Sequence, residues 1–172
     1  MRLIRLGAVM AGLLAVSIFI APPGFADDDD AEVGCALLIL HPGGPLRYGG
    51  SDDDDQCRGS KTADIMRGNG GDDRLQGIGS RDSVWGNRGD DLVRGGRKGD
   101  LVGGGKGDDR LSGDRGNDRL IGGIGHDDIC LDPGRNIVLA EDHRQDRIFG
   151  ATPNDRLFLD RGDRVMERPC PL

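Results

Sequence analysis

A single apolar residue recurs at every ninth position through the middle of the chain. This column runs without a break and comprises Cys57, Met66, Leu75, Val84, Val93, Val102, Leu111, Leu120 and Ile129. The three residues around each member form a minimal strand whose central side chain points inward, a place that Leu, Val and Ile fill well. Strands of this kind, stacked about 4.8 Å apart, would bury a continuous apolar ladder. The pattern therefore predicts an all-β solenoid.

Two polar columns keep the same period as the apolar one. In blocks of nine counted from residue 50, the first position is always glycine and the sixth is always aspartate, over nine blocks without an insertion. The block at 104–112 is the most regular, whereas Ile78 and Ser80 interrupt another where glycine or a small polar residue is expected. Seven good repeats begin at Gly68, and the two blocks before them look like worn repeats or the start of a cap.

The repeated loop offers the oxygen atoms that calcium prefers. Glycines at positions one, two and four permit positive φ angles, so six residues can turn tightly and leave backbone carbonyls pointing into the loop. The aspartate at position six adds a carboxylate oxygen. Stacking would bring carboxylates such as Asp91 and Asp109 close together, which is strongly unfavourable unless a cation lies between them. The loops therefore predict calcium binding and a folded state that depends on it.

These columns make the chain resemble the repeats-in-toxin (RTX) family, whose hemolysin-type nonapeptide is G-G-x-G-x-D-x-U-x. The resemblance implies a right-handed parallel β-roll, in which two nonapeptides form one coil and calcium lies between neighbouring loops of one edge. One edge would hold the loops that begin at Gly68, Gly86, Gly104 and Gly122, and the other those at Gly77, Gly95 and Gly113. The gaps between these loops imply about five calcium ions.

The resemblance also implies the calcium ligands. The sixth-position carboxylates belong to Asp73, Asp82, Asp91, Asp100, Asp109, Asp118 and Asp127. The loop carbonyls lie around Gly68, Gly71, Gly86, Gly89, Gly95, Gly104, Gly107, Gly113, Gly116, Gly122 and Gly125. Asp55 and Asp64, in the worn repeats, are weaker candidates.

Two other interpretations of the repeats stay open at this point. The chain contains 31 Gly and 8 Pro among 172 residues, close to the composition of disordered segments. Disorder requires neither a period of nine nor an apolar column, so we expect it chiefly in the absence of calcium. A calcium-free solenoid is the third interpretation, and the aspartate column argues against it.

The N-terminal segment at 1–26 has the pattern of a secretory signal peptide. Arg2 and Arg5 precede an apolar run over 6–21, and Gly24-Phe25-Ala26 offers small residues to signal peptidase. An uncleaved membrane anchor is the alternative, but the run is short for a span of about 20 residues. We therefore expect cleavage after Ala26, a secreted extracellular protein and no stable membrane anchor. Cleavage would lower the net charge from −7 to −9, which about five calcium ions would bring near neutrality.

The rest of the chain forms two flanks of the repeat region. The predicted units are a signal peptide at 1–26, an N-terminal cap strand and turn at 27–49, the calcium-binding β-roll at 50–130, and degenerate coils with a C-terminal cap at 131–172. Within the first cap we expect a buried strand at 36–40 and a turn at 42–45. Phe149 and Phe158 are the large apolar groups of the last unit, and we expect them to help cover the open coil.

Four cysteines lie at or beyond the borders of the good repeats, namely Cys35, Cys57, Cys130 and Cys170. Export makes disulfides the default, with three pairings to choose from. We favour Cys35–Cys57 and Cys130–Cys170, which close short local loops and would fasten a cap to each end. A metal site formed by these cysteines is the less favoured alternative to disulfides, because no CxxC spacing occurs. Many RTX proteins are poor in cysteine and carry an uncleaved C-terminal signal, so these features put a toxin role in doubt.

Composition and motifs narrow the function to two classes. A net charge of −7 argues against nucleic-acid binding, and the stretch before the repeats is too short for a catalytic domain. No Gly-x-Ser-x-Gly or His-Glu-x-x-His motif occurs, and the histidines are isolated surface candidates: His41, His126 and His143. We therefore expect no enzyme. The chain is either a calcium-binding protein that folds outside the cell, or an adhesion or matrix scaffold for a polysaccharide or protein partner. In the second case Trp85 and Tyr48 are the exposed aromatic candidates.

Overall fold

The chain forms two β-sheets that are parallel almost throughout, and the described residues include no helix. This computed structural model describes residues 35–38 and 45–171. Strands are numbered in chain order. One sheet has eight strands, in the order β1 (Ala36–Leu38), β2 (Leu46–Gly49), β4 (Asp64–Asn69), β6 (Ser83–Arg88), β8 (Leu101–Lys106), β10 (Arg119–Ile124), β12 (Ile137–Ala140) and β14 (Arg156–Leu159). The other has seven, in the order β3 (Gln56–Arg58), β5 (Arg74–Ile78), β7 (Leu92–Arg97), β9 (Arg110–Arg115), β11 (Asp128–Cys130), β13 (Arg147–Phe149) and β15 (Arg164–Met166).

From β2 onward, successive strands alternate between the two sheets, so the chain winds as a parallel β-solenoid of about seven turns. Two nonapeptides make one turn, because each strand of the repeats pairs with the second strand after it along the chain. Val102, for example, lies beside Val84 on one side and Leu120 on the other. The all-β solenoid that the nine-residue period predicted is therefore confirmed.

The register changes once the regular repeats end. Ile129 pairs with Ile148, and Val138 pairs with Leu157, so each of these coils is longer than a pair of nonapeptides by a single residue. Ile148 then pairs with Val165, in a coil that is shorter than such a pair by a single residue. The loops absorb these differences, because the inward-facing residues stay in line. The coils that the sequence suggested beyond residue 130 are thus present as β12 to β15.

The apolar column forms the core of the solenoid. All nine of its members are buried, and the most exposed of them, Cys57, shows 4% of its surface. Val138 and Ile148 extend the column into the later coils with no exposed surface. Each coil contributes one small side chain from each sheet, so the core is a narrow ladder rather than a broad cluster.

The aromatic residues lie differently from the sequence expectation. Tyr48 pairs with Met66 of the inward column and packs against the core. Trp85 is half-buried, and it lies against Gly103 of the next strand, where a Cβ would collide with the indole ring. Its Nε1 donates to Ser83 Oγ over 3.0 Å. The expectation that both rings are exposed was therefore wrong, since one faces inward and the other lies against a neighbouring glycine.

The two phenylalanines of the last coils have different environments. Phe149 is fully buried, with the guanidinium of Arg168 5.8 Å from the ring centroid. It pairs with Cys130, which is bonded to Cys170, so the C-terminal segment covers this outer surface. Phe158 is 39% exposed. The prediction that both rings help to cover the coils was right for Phe149 and wrong for Phe158.

Both ends of the solenoid are fastened by the predicted disulfides. Cys35 is bonded to Cys57 and Cys130 to Cys170, with Cα–Cα distances of 5.3 and 5.6 Å. At the first end β1 pairs with β2 in the antiparallel direction. Of the predicted strand at 36–40 only 36–38 is described, and of the turn at 42–45 only residue 45.

The predicted signal peptide at 1–26 lies outside the described residues, as does His41. No helix in the described part of the chain is long and apolar enough to cross a membrane.

Candidate metal centre

The aspartate loops lie along the two edges of the solenoid, where the chain passes from one sheet to the other. The loops at 68–73, 86–91, 104–109 and 122–127 each lead from the eight-stranded sheet to the seven-stranded one. We call this the acidic edge. The loops at 77–82, 95–100 and 113–118 lead in the other direction and form the second edge. The structure thus brings Asp73, Asp91, Asp109 and Asp127 together on one edge, and Asp82, Asp100 and Asp118 on the other.

One oxygen of each sixth-position aspartate links two successive loops. Oδ1 of Asp109 accepts a hydrogen bond from the backbone N–H of Asp91 over 2.9 Å, and Oδ1 of Asp100 accepts one from Asp82 over 2.8 Å. The same bond recurs from Asp73 to Asp127, always between residues 18 apart. These aspartates are 1–4% exposed. The carboxylates therefore form two buried ladders, one at each edge.

The second oxygen of these carboxylates has no hydrogen-bond partner in the described part of the chain. These buried Oδ2 atoms belong to Asp73, Asp82, Asp91, Asp100, Asp109, Asp118 and Asp127, and to Asp146 further on. A buried polar atom without a partner is costly, and a buried charge is costlier. The position of these oxygens thus indicates that a cation belongs beside them.

Burial and mutual repulsion raise the pKa of these carboxyl groups. The pKa of Asp109 rises to about 8, and those of Asp91, Asp100 and Asp127 rise to about 7. Loss of solvent is the main cause, the backbone hydrogen bond opposes it, and neighbouring aspartates raise the pKa further. The pKa values of Asp73, Asp118 and Asp146 rise to about 6, and that of Asp82 is also raised. In the absence of metal, the ladders therefore favour protonation near neutral pH.

The first-position glycines border the space that these oxygens occupy. An ideal Cβ on Gly77 would lie 2.5 Å from both Asp82 Oδ2 and the carbonyl oxygen of Gly95 in the next loop. A carboxylate oxygen and a carbonyl oxygen of successive loops thus approach the same small volume. None of the first-position glycines from Gly68 to Gly122 has a positive φ angle. The sequence argument for this glycine was therefore wrong, because space rather than backbone conformation requires it.

The second positions of the good repeats and the fourth positions of the acidic edge adopt left-handed backbone conformations, as the sequence predicted, whereas the fourth-position Gly116 of the second edge does not. Second positions include Asn87 with φ 87° and Gly105 with φ 135°, and fourth positions of the acidic edge include Gly89 with φ 111°. A Cβ on Gly89 would collide with the carbonyl oxygen of Gly71. The same relationship holds between Gly107 and Gly89. The fourth-position carbonyls therefore face the gap between successive loops.

Each gap between stacked loops thus contains a carboxylate oxygen and carbonyl oxygens. These are hard ligands of the kind that calcium selects. Nowhere in the described residues do three His, Cys, Asp or Glu side chains come together as a metal cage, so backbone carbonyls would supply the other ligands. The residues present fit calcium, which when bound would neutralise the buried carboxylates.

The worn repeats are chemically different from the good ones. Oδ2 of Asp55 accepts hydrogen bonds from the backbone N–H of Ser51 over 2.6 Å and from its hydroxyl over 3.1 Å, although Oδ1 has no partner within the described ranges 35–38 and 45–171. Ser60 bonds Asp64 in the same way, with 2.6 Å from N–H to Oδ2. A serine at the second position thus replaces a cation as partner of the carboxylate. This explains in physical terms why Asp55 and Asp64 are weaker candidates.

The ladders continue beyond the repeats that the sequence identified, through Asp146 and Asp163 on one edge and through Asn136 and Asp155 on the other. Asp146 is fully buried, its Oδ1 accepts from the N–H of Asp127 over 2.8 Å, and its Oδ2 has no described partner. Asn136 occupies the ladder of the second edge, where its Oδ1 accepts from Asp118 and its Nδ2 donates to Asp132. The sequence signal for Asp146 was its place two positions before the apolar Ile148. Asn136 places a neutral side chain within its ladder, which continues because its backbone N–H donates to Oδ1 of Asp155 over 2.8 Å.

A second row of aspartates runs along the acidic edge alone. The exposed fifth-position residues Asp54, Asp72, Asp90 and Asp108 are linked by backbone N–H to Oδ1 bonds of 2.7–2.8 Å. The fifth positions of the second edge are Ala63, Arg81, Gly99 and Asn117. The two edges therefore differ in charge, a feature that the nine-residue period alone conceals.

The pattern of the repeats agrees with a known family. The profile of the RTX calcium-binding nonapeptide repeat, in four copies, matches residues 48–77, 67–102 and 103–138. A comparison with curated proteins found no match. The matched segments cover more than half of the chain and coincide with the coils whose loops carry the aspartate ladders. The chain therefore belongs to the RTX calcium-binding nonapeptide repeat family.

Proposed function

We propose that this protein is a secreted calcium-binding protein whose β-roll folds when calcium ions bind between stacked Gly/Asp-rich loops. The observation that carries the proposal is the column of buried Oδ2 atoms at Asp73, Asp91 and Asp109, which have no hydrogen-bond partner among the described residues. Ionised carboxylates in that position oppose folding through lost solvation and mutual repulsion. Calcium between the loops would remove both costs and link one coil to the next.

About five ions fit the loops from residue 68 to residue 127, three on the acidic edge and two on the second edge. Asp73, Asp91, Asp109 and Asp127 would hold the first group, with carbonyls of the adjoining glycine loops. Asp82, Asp100 and Asp118 would hold the second group. Asp146 offers a further carboxylate to the acidic edge. We expect the acidic edge to fill first, because its fifth-position aspartates add negative charge.

Export to the cell exterior is supported by two independent features. The N-terminal pattern at 1–26 is that of a cleaved signal peptide. The two disulfides need an oxidising compartment. Extracellular calcium is at millimolar levels, where weak sites of this kind fill. Folding would then be delayed until the chain leaves the cell.

The proposed role is binding rather than catalysis. His126 and His143 are exposed, and neither belongs to a nucleophile–base arrangement. His143 contacts Asp160, with 3.3 Å from Nδ1 to Oδ1. A scaffold for adhesion remains the second candidate, but it cannot use Tyr48, which packs on the core.

The decisive experiment is a calcium titration of residues 27–172 with disulfides intact. Far-UV circular dichroism would follow β structure from chelator to millimolar calcium, and isothermal titration would count the ions. We expect a cooperative gain of β signal with about five ions bound, and no such gain with magnesium. A β spectrum that is complete in chelator, or no change at any calcium concentration, would overturn the proposal.

A further inference from the structure

The outer surface of the seven-stranded sheet carries a compact group of arginines. Arg58, Arg74, Arg94 and Arg110 lie on the adjacent strands β3, β5, β7 and β9, at the seventh or ninth repeat position. Side chains at these positions point away from the core because they flank the buried eighth position on each side. We call these four residues the arginine face.

Among the described residues no carboxylate forms an ion pair with the arginine face; Asp128 lies beside Arg110 in the next strand, but it is paired with Arg147. In the described part of the chain only two ion pairs form, His143 with Asp160 and Arg147 with Asp128. The Nε–H of Arg94 is also buried without an acceptor among the described residues. The aspartates are concentrated in the loops, so a protein of net charge −7 nevertheless presents a basic strip.

The strand register arranges these arginines regularly. Arg74 and Arg110 belong to one row, with Leu92 between them. Arg58 and Arg94 belong to the other row, with Gln76 between them. Within each row the arginines are therefore two strand spacings apart, about 9.6 Å. A groove of about 950 Å³ opens on the β3 side of this surface, and its lining includes Arg58, Arg74 and Arg94 but not Arg110.

We propose that the arginine face binds a linear acidic polysaccharide. Guanidinium groups bind carboxylates and sulfates in a bidentate manner, and glutamine side chains beside them can hydrogen-bond hydroxyls. A linear polymer with anionic groups at regular intervals matches the regular spacing of the arginines. The glutamines Gln56 and Gln76 line the same groove.

The surroundings of the face favour a narrow ligand over a broad one. The loops that lead into β5, β7 and β9 carry the exposed Asp72, Asp90 and Asp108. A wide anionic surface, such as a membrane or a nucleic-acid duplex, would meet these carboxylates as well as the arginines. A single polysaccharide chain can lie along the strip without reaching the acidic edge. Charge complementarity therefore selects a linear partner.

The test compares two triple variants of residues 27–172 in millimolar calcium. The first is R74Q/R94Q/R110Q on the arginine face. The matched control is R47Q/R67Q/R119Q, which removes the same charge from exposed arginines of the eight-stranded sheet that do not share the two-strand spacing. Binding of oligomeric dextran sulfate is measured by isothermal titration at moderate salt, with unsulfated dextran as the neutral probe. Circular dichroism checks that both variants fold.

We expect the first variant to lose at least tenfold in affinity, which is about 1.4 kcal/mol, and the control to lose less than about threefold. Unsulfated dextran should not bind. Equal losses in the two variants would show a net-charge effect and overturn the proposal. The proposal would also be overturned if the wild-type protein did not bind dextran sulfate. Sedimentation that showed stronger binding to anionic phosphatidylserine vesicles, or self-association, would overturn it as well. Because folding is monitored separately, these outcomes are distinct from a failure of calcium binding.

Discussion

The backbone N–H of Asp91 donates to Oδ1 of Asp109 over 2.9 Å, while Oδ2 of the same Asp109 is buried without a described partner. One carboxylate thus has two roles. Its first oxygen links two stacked loops, and we propose that its second oxygen binds a cation. The loop geometry therefore allows the coils to stack, but stacking buries a negative charge that opposes it.

Asn136 shows how the ladder position is satisfied without a metal. It is 2% exposed, its Oδ1 accepts from Asp118 over 3.0 Å, and its Nδ2 donates to the carbonyl oxygen of Asp132 over 3.0 Å. Both the oxygen and the nitrogen of this side chain thus find a partner. An aspartate at the equivalent position lacks the amide N–H donor and carries a charge instead, which is consistent with a role for that charge.

We predict that Asp109→Asn stabilises the calcium-free roll and weakens calcium binding. The amide keeps the acceptor for the Asp91 N–H and removes a buried charge, and it can donate toward the Gly122 carbonyl, which borders the same space. An unsatisfied buried group costs about 1–3 kcal/mol, so a gain of this order is expected in chelator. Far-UV circular dichroism of the β signal in chelator and isothermal titration with calcium measure the two effects.

Asp90→Asn is the matched control for that substitution. Asp90 is exposed, and its Oδ1 accepts from the backbone N–H of Asp108 over 2.7 Å. Because its carboxylate is solvated, the change should alter calcium-free stability by less than about 0.5 kcal/mol. If the two variants behaved alike in chelator, burial of the Asp109 charge would not be the cause.

Stability without calcium should fall as the pH rises. The pKa of Asp109 is about 8 in the folded roll against an ordinary value of 3.8, and that of Asp91 is about 7. Between about pH 4 and pH 8 the folded state therefore binds more protons than the unfolded state, and its stability decreases with pH across that window. Far-UV circular dichroism in chelator should show a larger β signal at pH 5 than at pH 8.

Calcium reverses this dependence, since protons and calcium compete for the same carboxylates. Calcium affinity should therefore be weaker at pH 6 than at pH 8, as measured by titration at both values. A calcium-free roll that becomes more stable between pH 5 and pH 8 would contradict the raised pKa values.

Much of the fold could be predicted because the period of nine specifies which side chains point inward. Met66 and Ile129 each lie in the buried column that their spacing assigned. Asp146 was not predicted as a ladder member, because it follows Asp127 by 19 residues rather than by the 18 residues of two nonapeptides. The period also gives no information on the environment of outward residues, which depends on the neighbouring strand. Trp85 is half-buried only because Gly103 lies beside it.

The role of the first-position glycine was likewise beyond sequence reasoning. A glycine in a turn suggests a positive φ angle, whereas Gly77 is required by the atoms around it. Those atoms belong to Asp82 and to Gly95, which lies in the next coil, two nonapeptides further along the chain. Contacts of this kind become visible only when the coils are stacked.

Gly77→Ala should disrupt the roll far more than Gly79→Ala in the same loop. The new Cβ at Gly77 would lie 2.5 Å from Asp82 Oδ2 and from the Gly95 carbonyl oxygen, whereas at Gly79 the nearest atom is 3.4 Å away. Neither glycine has a positive φ angle. Overpacking of this kind costs about 1–3 kcal/mol. Denaturant unfolding in saturating calcium should show this loss for Gly77→Ala, and equal effects of both changes would refute the steric role of Gly77.

Ile78→Gly should stabilise the roll, although it removes a half-buried apolar side chain. Ile78 has φ 94°, a conformation that costs a β-branched residue about 1–2 kcal/mol and costs glycine little. Part of that gain is offset by lost burial, so we expect a net gain of about 1 kcal/mol. The exposed Ile124 has no positive φ angle, and Ile124→Gly should therefore destabilise the strand by about 0.5–1 kcal/mol. Denaturant unfolding of both variants in calcium provides the comparison. A loss of stability in both would show that the backbone at Ile78 carries no strain.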